Sequence, residues 1–236
     1  MSQKLSRRGF LGCACCAAVS VGVASGLSAF AAEGARTNLT PDQALETLKE
    51  GNRSFKTDSP VRAVQGRERR LEIARGQTPF ATLVSCSDSR VPPELLFGRG
   101  LGELFIVRNA GNTVDTAALG SIEYGVAQLG VPLVVVMGHE KCGAVEAAVK
   151  VVTENASYPG SIGRMVEPIV PAVVSAQREG GDLLQAAVRA NVRRTVSRLR
   201  TASEPMLLDP LRAGKLRIVG AAYDIDDGSV DFFDEG

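Results

Sequence analysis

Leu133-Val134-Val135-Val136-Met137-Gly138-His139-Glu140-Lys141-Cys142-Gly143-Ala144 holds both the clearest strand of the chain and its scarcest side chains. Five consecutive apolar residues, three of them β-branched, are too few for a helix and show no polar alternation. They predict a strand buried on both faces, as in a parallel sheet covered by helices. His139, the only histidine of the 236 residues, stands at the exit of that strand. Cys142 follows three positions later, and Ala144 to Val151 opens a helix. A sole imidazole and a rare thiol meeting at a strand end point to a held metal.

Outward from this strand the same alternation repeats. Phe80-Ala81-Thr82-Leu83-Val84 predicts a second buried strand with Cys86 at its exit, and Leu104-Phe105-Ile106-Val107 a third. Thr40 before Pro41 supplies an N-cap and a first-turn proline for a helix over 41–50 that stops near Gly51. Further helices are expected over Val61–Ala74, Thr116–Leu129, Arg164–Arg178 and Leu183–Leu199, with a Pro/Gly/Ser loop over 157–162. Leu216 to Tyr223 reads as a strand, and Asp226-Asp227-Gly228 as a hairpin turn into Val230–Phe233. The fold class expected is α/β: a mostly parallel central sheet flanked by helices, with a C-terminal β-hairpin extension and functional groups beyond the carboxyl ends of the strands.

A hydrophobic fraction of 44% with Gly 25 and Pro 11 suits one large domain with a sizeable core. The N-terminus reads as a targeting segment. Ser6-Arg7-Arg8-Gly9-Phe10-Leu11 has the form of a twin-arginine signature, followed by a mildly apolar stretch to Phe30. Ala29-Phe30-Ala31 fits a signal-peptidase site, so residues 1–31 are expected to be the signal and 32–236 a single catalytic domain, periplasmic or extracellular. An N-terminal membrane anchor is the alternative, against which the modest hydrophobicity speaks. Cys13, Cys15 and Cys16 would leave with the signal, and no membrane contact is expected afterwards. Without Lys4, Arg7 and Arg8 the charge becomes slightly acidic, and the absence of a basic stripe with interleaved aromatics gives no case for nucleic acid.

Cys86, His139 and Cys142 leave two central strands at the same edge, and two thiolates with one imidazole suit zinc best. A fourth tetrahedral position would stay open for water or a carboxylate, as in a catalytic site. A disulfide between the two cysteines, or inert buried thiols, remains the alternative. Asp88 and Arg90 follow Cys86 at spacings of two. In an extended loop all three would project to one side, with the guanidinium holding the carboxylate away from the metal as an acceptor for the attacking oxygen. An ordinary surface ion pair is the plain alternative.

Cys86-Ser87-Asp88-Ser89-Arg90-Val91, Arg108-Asn109-Ala110-Gly111-Asn112, Ser121-Ile122-Glu123-Tyr124, Gly138-His139 through Cys142-Gly143-Ala144-Val145 and Tyr223-Asp224-Ile225 together resemble the β-class carbonic anhydrases over about residues 40 to 233. The resemblance implies a Zn2+ enzyme interconverting carbon dioxide and bicarbonate, with Cys86, His139 and Cys142 as zinc ligands and Asp88 with Arg90 as the catalytic dyad. Gln77, Phe105, Ala110, Tyr124 and Gly143 match its substrate-binding positions, although Phe105 is equally well core filling and Gln77 a solvated turn residue. The pocket of that family is completed across a dimer interface, implying a homodimer or homotetramer. One departure concerns bicarbonate regulation: Arg108 and Tyr223 match two residues of a regulatory triad, but Leu83 stands at its tryptophan position. The expected mechanism is attack on carbon dioxide by a zinc-bound hydroxide, favoured at alkaline pH by the charge of two thiolates. A carbonyl sulfide or carbon disulfide hydrolase on the same site is the alternative function, since those substrates are also linear and apolar.

Overall fold

All seven residues of Leu133–His139, strand β3, are buried, as a continuous apolar run demands. The computed structural model describes residues 36–59, 63–201 and 205–233; the expected signal segment, its cysteines and its cleavage site lie outside them. Ala81–Ser85 (β1) and Arg217–Tyr223 (β4) flank β3. Leu104–Arg108 (β2) and Val230–Phe233 (β5) complete the order β2-β1-β3-β4-β5. The first four strands are parallel, and β5 returns antiparallel to β4, with Tyr223 opposite Val230. This is the expected α/β sheet with its hairpin extension.

After β1 the chain crosses to one side to make β2 and then returns to the other side to make β3. The connections therefore diverge at the carboxyl ends of β1 and β3, which is where open α/β sheets place their ligands. Cys86 and His139 stand at those two ends.

Alternate strand residues feed two cores. On one face Leu83, Val135, Met137, Val219 and Ala221 pack with Ala44, Leu45 and Leu48 of α1 (Pro41–Lys56) and with Phe97, just after α3 (Pro93–Leu96). On the other, Val84, Val134, Val136 and Ile218 meet Ile122 of α4 (Thr116–Ala127), Val192 and Val196 of α8 (Leu183–Arg200) and Leu207 of α9 (Pro205–Arg212). Helix α8 approaches closest at two strand glycines. A Cβ on Gly138 would lie 2.9 Å from side-chain carbons of both Val188 and Val192, and one on Gly220 2.9 Å from Val192, so only hydrogen fits there. A third core gathers Cys86, Cys142, Val145, Val166, Ile169 and Ala187 where α5 (Gly143–Glu154), α6 (Gly160–Val166) and α7 (Val170–Ala176) meet α8.

Several sequence expectations need correction. Thr40 caps α1 in a reciprocal box with Gln43, but the helix runs through Gly51 to Lys56. That glycine marks close approach to the Phe97 carbonyl rather than a stop. Of the helix expected over 61–74, the described residues hold Arg67–Ile73 (α2), with Gly66 at its N-cap. The helix expected over 164–178 starts earlier, at Gly160, inside the anticipated loop, and is broken into α6, a 3-10 turn at Glu167–Ile169 and α7. Pro168 and Pro171 supply no amide hydrogen to keep it continuous. Neither α3 nor α9 was anticipated, the first being a single turn and the second carrying Pro210 within it.

Candidate metal centre

The ligating atoms of Cys86, His139 and Cys142 all lie within 4.8 Å of one another, and all three residues are buried. Cys86 emerges one residue after β1, and His139 closes β3. Lys141 adopts a left-handed φ of 53°, turning the chain so that Cys142 becomes the N-cap residue of α5.

The two sulfurs stand 4.0 Å apart as free thiols, about twice a disulfide bond length. The alternative of a covalent bridge is therefore not what this fold holds. Around Cys86, the thiol of Cys142 and the Gly111 amide, 3.3 Å from Sγ, favour the thiolate and draw its pKa below the ordinary thiol range. The same sulfur–sulfur hydrogen bond, with burial, pushes Cys142 upward. A cation that binds there takes both sulfurs as thiolates, so its binding releases whatever protons they carry.

His139 is fully buried. Its Nδ1 stands 2.8 Å from the Glu140 carbonyl, which assigns the ring proton to Nδ1 and leaves the Nε2 lone pair facing inward. Nε2 has no hydrogen-bond partner. An orphaned buried acceptor costs about 1–3 kcal/mol, so its retention beside two thiols fits a metal ligand. The donor set of one imidazole and two sulfurs suits a zinc ion.

Asp88 borders the cluster, with Oδ2 4.0 Å from His139 Nε2, beyond hydrogen-bond range. Arg90 grips it as a fork: Nε donates to Oδ1 at 2.9 Å and Nη2 to Oδ2 at 2.7 Å, while the Arg90 backbone amide also donates to Oδ1 at 2.9 Å. These bonds hold the Asp88 carboxyl well below the usual carboxylate range. The pairing does not come from an extended loop. The Val91 amide donates to the Asp88 carbonyl at 3.0 Å, closing a turn that folds Arg90 back on the carboxylate. Arg108 fixes the segment from the other side, donating to the carbonyls of Cys86 at 2.8 Å and Asp88 at 2.6 Å.

The substrate-pocket candidates are dispersed within the single chain. Ala110 directly precedes the glycine whose amide meets Cys86, and Gly143, exposed in the first turn of α5, adjoins Cys142. Gln77 is exposed in the coil entering β1, at the far end of that strand from Cys86. Phe105 lies at the register of Thr82, three residues before Ser85, and stacks on Tyr124 of α4 with ring centroids 6.1 Å apart. Tyr124 is 48% exposed. Leu83 is fully buried under α1, and Tyr223 is nearly so at the end of β4.

Sequence reasoning did not single out Asn191, a buried amide on α8 that donates to the Gly111 carbonyl at 2.9 Å. An amide at a core position of a helix face whose other buried residues are apolar apart from Thr195 was the available signal. The role of the Glu140 carbonyl left no trace in the sequence.

The Carbonic anhydrase family profile matches residues 81–230. Carbonic anhydrase 2 of Mycobacterium tuberculosis is 40% identical over 191 residues, covering 81% of this chain and 92% of its own. A carbonic anhydrase of Mycolicibacterium smegmatis is 39% identical over 194 residues, covering 82% and 94%. Among solved structures, the chain is similar to the β-carbonic anhydrase CafA of Aspergillus fumigatus (TM-score 0.62, 26% identity, 83% of this chain and 91% of that one). It is also similar to one of two tetrameric β-carbonic anhydrases of Sordaria macrospora (TM-score 0.63, 25% identity, 69% and 84%).

Proposed function

The chain belongs to the β-class carbonic anhydrases, and from that premise we propose that it hydrates carbon dioxide reversibly at a zinc ion held by Cys86, His139 and Cys142. The observation carrying this reading is the unpartnered, buried Nε2 of His139 turned toward two free thiols. A bound zinc ion would supply Lewis acidity, bringing the pKa of water from 15.7 to about 7.

The chain's own groups supply the rest. Asp88, kept ionised by the Arg90 fork, accepts a hydrogen bond from the attacking oxygen and orients its lone pair toward the carbon of the substrate. Arg90, tied to the turn through its own backbone amide, restrains the carboxylate from swinging inward. The reaction adds a water oxygen to carbon dioxide and releases one proton. The only histidine is committed to the cluster, so that proton leaves through buffer, water chains, or a pocket tyrosine or carboxylate.

Assembly belongs to the same proposal. Gln77, Phe105 and Tyr124 sit toward the opposite end of β1 and β2 from the chain's own Cys86, so a second copy would bring them to a cluster that Ala110 and Gly143 already border. A homodimer or homotetramer is the assembly this reading supports, with light scattering as its check. The twin-arginine signature supports export to the periplasm or beyond. Leu83 in place of a regulatory tryptophan supports bicarbonate acting only as product, giving hyperbolic rather than cooperative kinetics. Metal analysis of the purified chain with a stopped-flow hydration assay tests the function. About one zinc per chain with activity abolished by chelation supports it; a metal-free chain that hydrates carbon dioxide contradicts it.

A further inference from the structure

We infer that Asn191 is a positioning residue for the Cys86 sulfur, acting through the Gly111 amide; the inference rests on the metal reading above. Asn191 is 3% exposed on the inner face of α8, and that helix is pinned to the sheet where Gly138 and Gly220 leave no room for a side chain. From this fixed platform Nδ2 donates to the Gly111 carbonyl at 2.9 Å, and the Gly111 amide in turn donates to Cys86 Sγ at 3.3 Å.

The loop between them transmits the constraint. Gly111 is left-handed at φ 71°, ψ 20°, and a Cβ there would come within 2.6 Å of Ile169 Cδ1. Asn112 is also left-handed at φ 46°. Asn109 Nδ2 ties the loop's end to the Thr113 carbonyl at 2.9 Å, and the Asn109 amide bonds the Ser85 carbonyl at 3.1 Å. With its flanks tied, the loop holds the Gly111 peptides between Asn191 on the carbonyl and Cys86 on the amide, so the bond from Asn191 bears on their tilt.

An N–H donor on a thiolate withdraws charge from the sulfur and weakens its donation to a metal, which is how bonds around ligands tune the ion. Asn191 would therefore alter the electronics of the site without touching substrate.

The test loads the full chain with Co(II) in place of zinc and records the sulfur-to-cobalt charge-transfer band, together with metal affinity by chelator competition. Asn191→Leu removes the donor at similar volume. Asn191→Ser, which has a donor too short to reach, serves if the first variant does not fold. Asn52→Leu is the control. It removes another buried amide bonded to backbone, from helix α1 to the Gly228 carbonyl 3.0 Å away.

The expected result at Asn191 is a band moved to lower energy, as the sulfur regains charge and donates more strongly, with metal affinity raised rather than lowered. Asn52→Leu should lower thermal stability and leave the band in place. Asn191 variants with wild-type band and affinity would reduce the residue to a satisfied core amide and overturn the inference. A wild-type chain showing no sulfur-to-cobalt band would instead overturn the metal reading itself.

Discussion

Cys86, His139 and Cys142 on one hand, and Glu140, Asp224 and Asp226 on the other, each bring three ligand-type atoms within 4.8 Å at the carboxyl edge of the sheet. The two clusters share adjacent residues, yet their surroundings differ. In the acidic cluster every carboxylate is already served. Lys141 Nζ bonds both oxygens of Asp226 at 2.7 Å. Backbone amides of Asp226 and Asp227 reach Asp224 Oδ1, and Gln185 reaches Glu140 Oε1 at 3.0 Å. Asp226 among them is exposed. In the sulfur cluster all three residues are buried and Nε2 remains unpartnered. Proximity of ligand types is common to both; an unmet lone pair among buried ligands distinguishes the one built for a cation.

The largest effect should come from trading the clusters' fates. Cys142→Ser should abolish both zinc retention and carbon dioxide hydration, whereas Asp224→Asn combined with Asp226→Asn should keep full zinc content by elemental analysis. Zinc lost from the acidic-cluster variant and kept in Cys142→Ser would reverse the assignment.

Arg90→Ala comes next. It leaves all three ligands in place, so zinc should stay bound, while the released Asp88 loses its orientation and hydration falls by about 10- to 100-fold, the usual cost of an outer-shell partner. Wild-type turnover at pH 8 would make the fork dispensable.

The smallest effect tests the exposed side of the comparison. Lys56 and the Ser229 contacts lower the Asp227 carboxyl to about 2. A carboxylate whose pKa is depressed by folding contributes stability above its unfolded value, about 3.9, and loses it as pH falls through the folded value. Asp227→Asn should thus lower the melting temperature slightly at pH 7, with the difference shrinking toward pH 2 and at high salt. A difference that grows on acidification would contradict the assigned sign.

The legibility of the chain followed the same division. Valine runs at 133–137 and apolar residues at 80–84 announced buried strands because a two-sided parallel sheet leaves little choice of residue, and scarcity made Cys86, His139 and Cys142 conspicuous. What depended on backbone geometry was hidden. The Asp88–Val91 turn brings about the Arg90 fork by a route that spacing did not suggest, and the Gly111 amide and Glu140 carbonyl are main-chain groups that any residue carries. Helices α6 and α7 were misread as one because apolar periodicity continues through Pro168 and Pro171, where the hydrogen bonding does not. Asn191 looked like one polar residue in an arginine-rich helix until the packing at Gly138 showed which face was inward.

X-ray absorption at the zinc edge of the purified chain tests the central claim most directly, because it reads the shell of the metal without reference to turnover. The expected shell is two sulfur scatterers at ~2.3 Å with nitrogen or oxygen completing four-coordination at ~2.0–2.2 Å. A shell of nitrogen and oxygen alone, or one with sulfur unchanged when Cys86 and Cys142 are both replaced by serine, would contradict it.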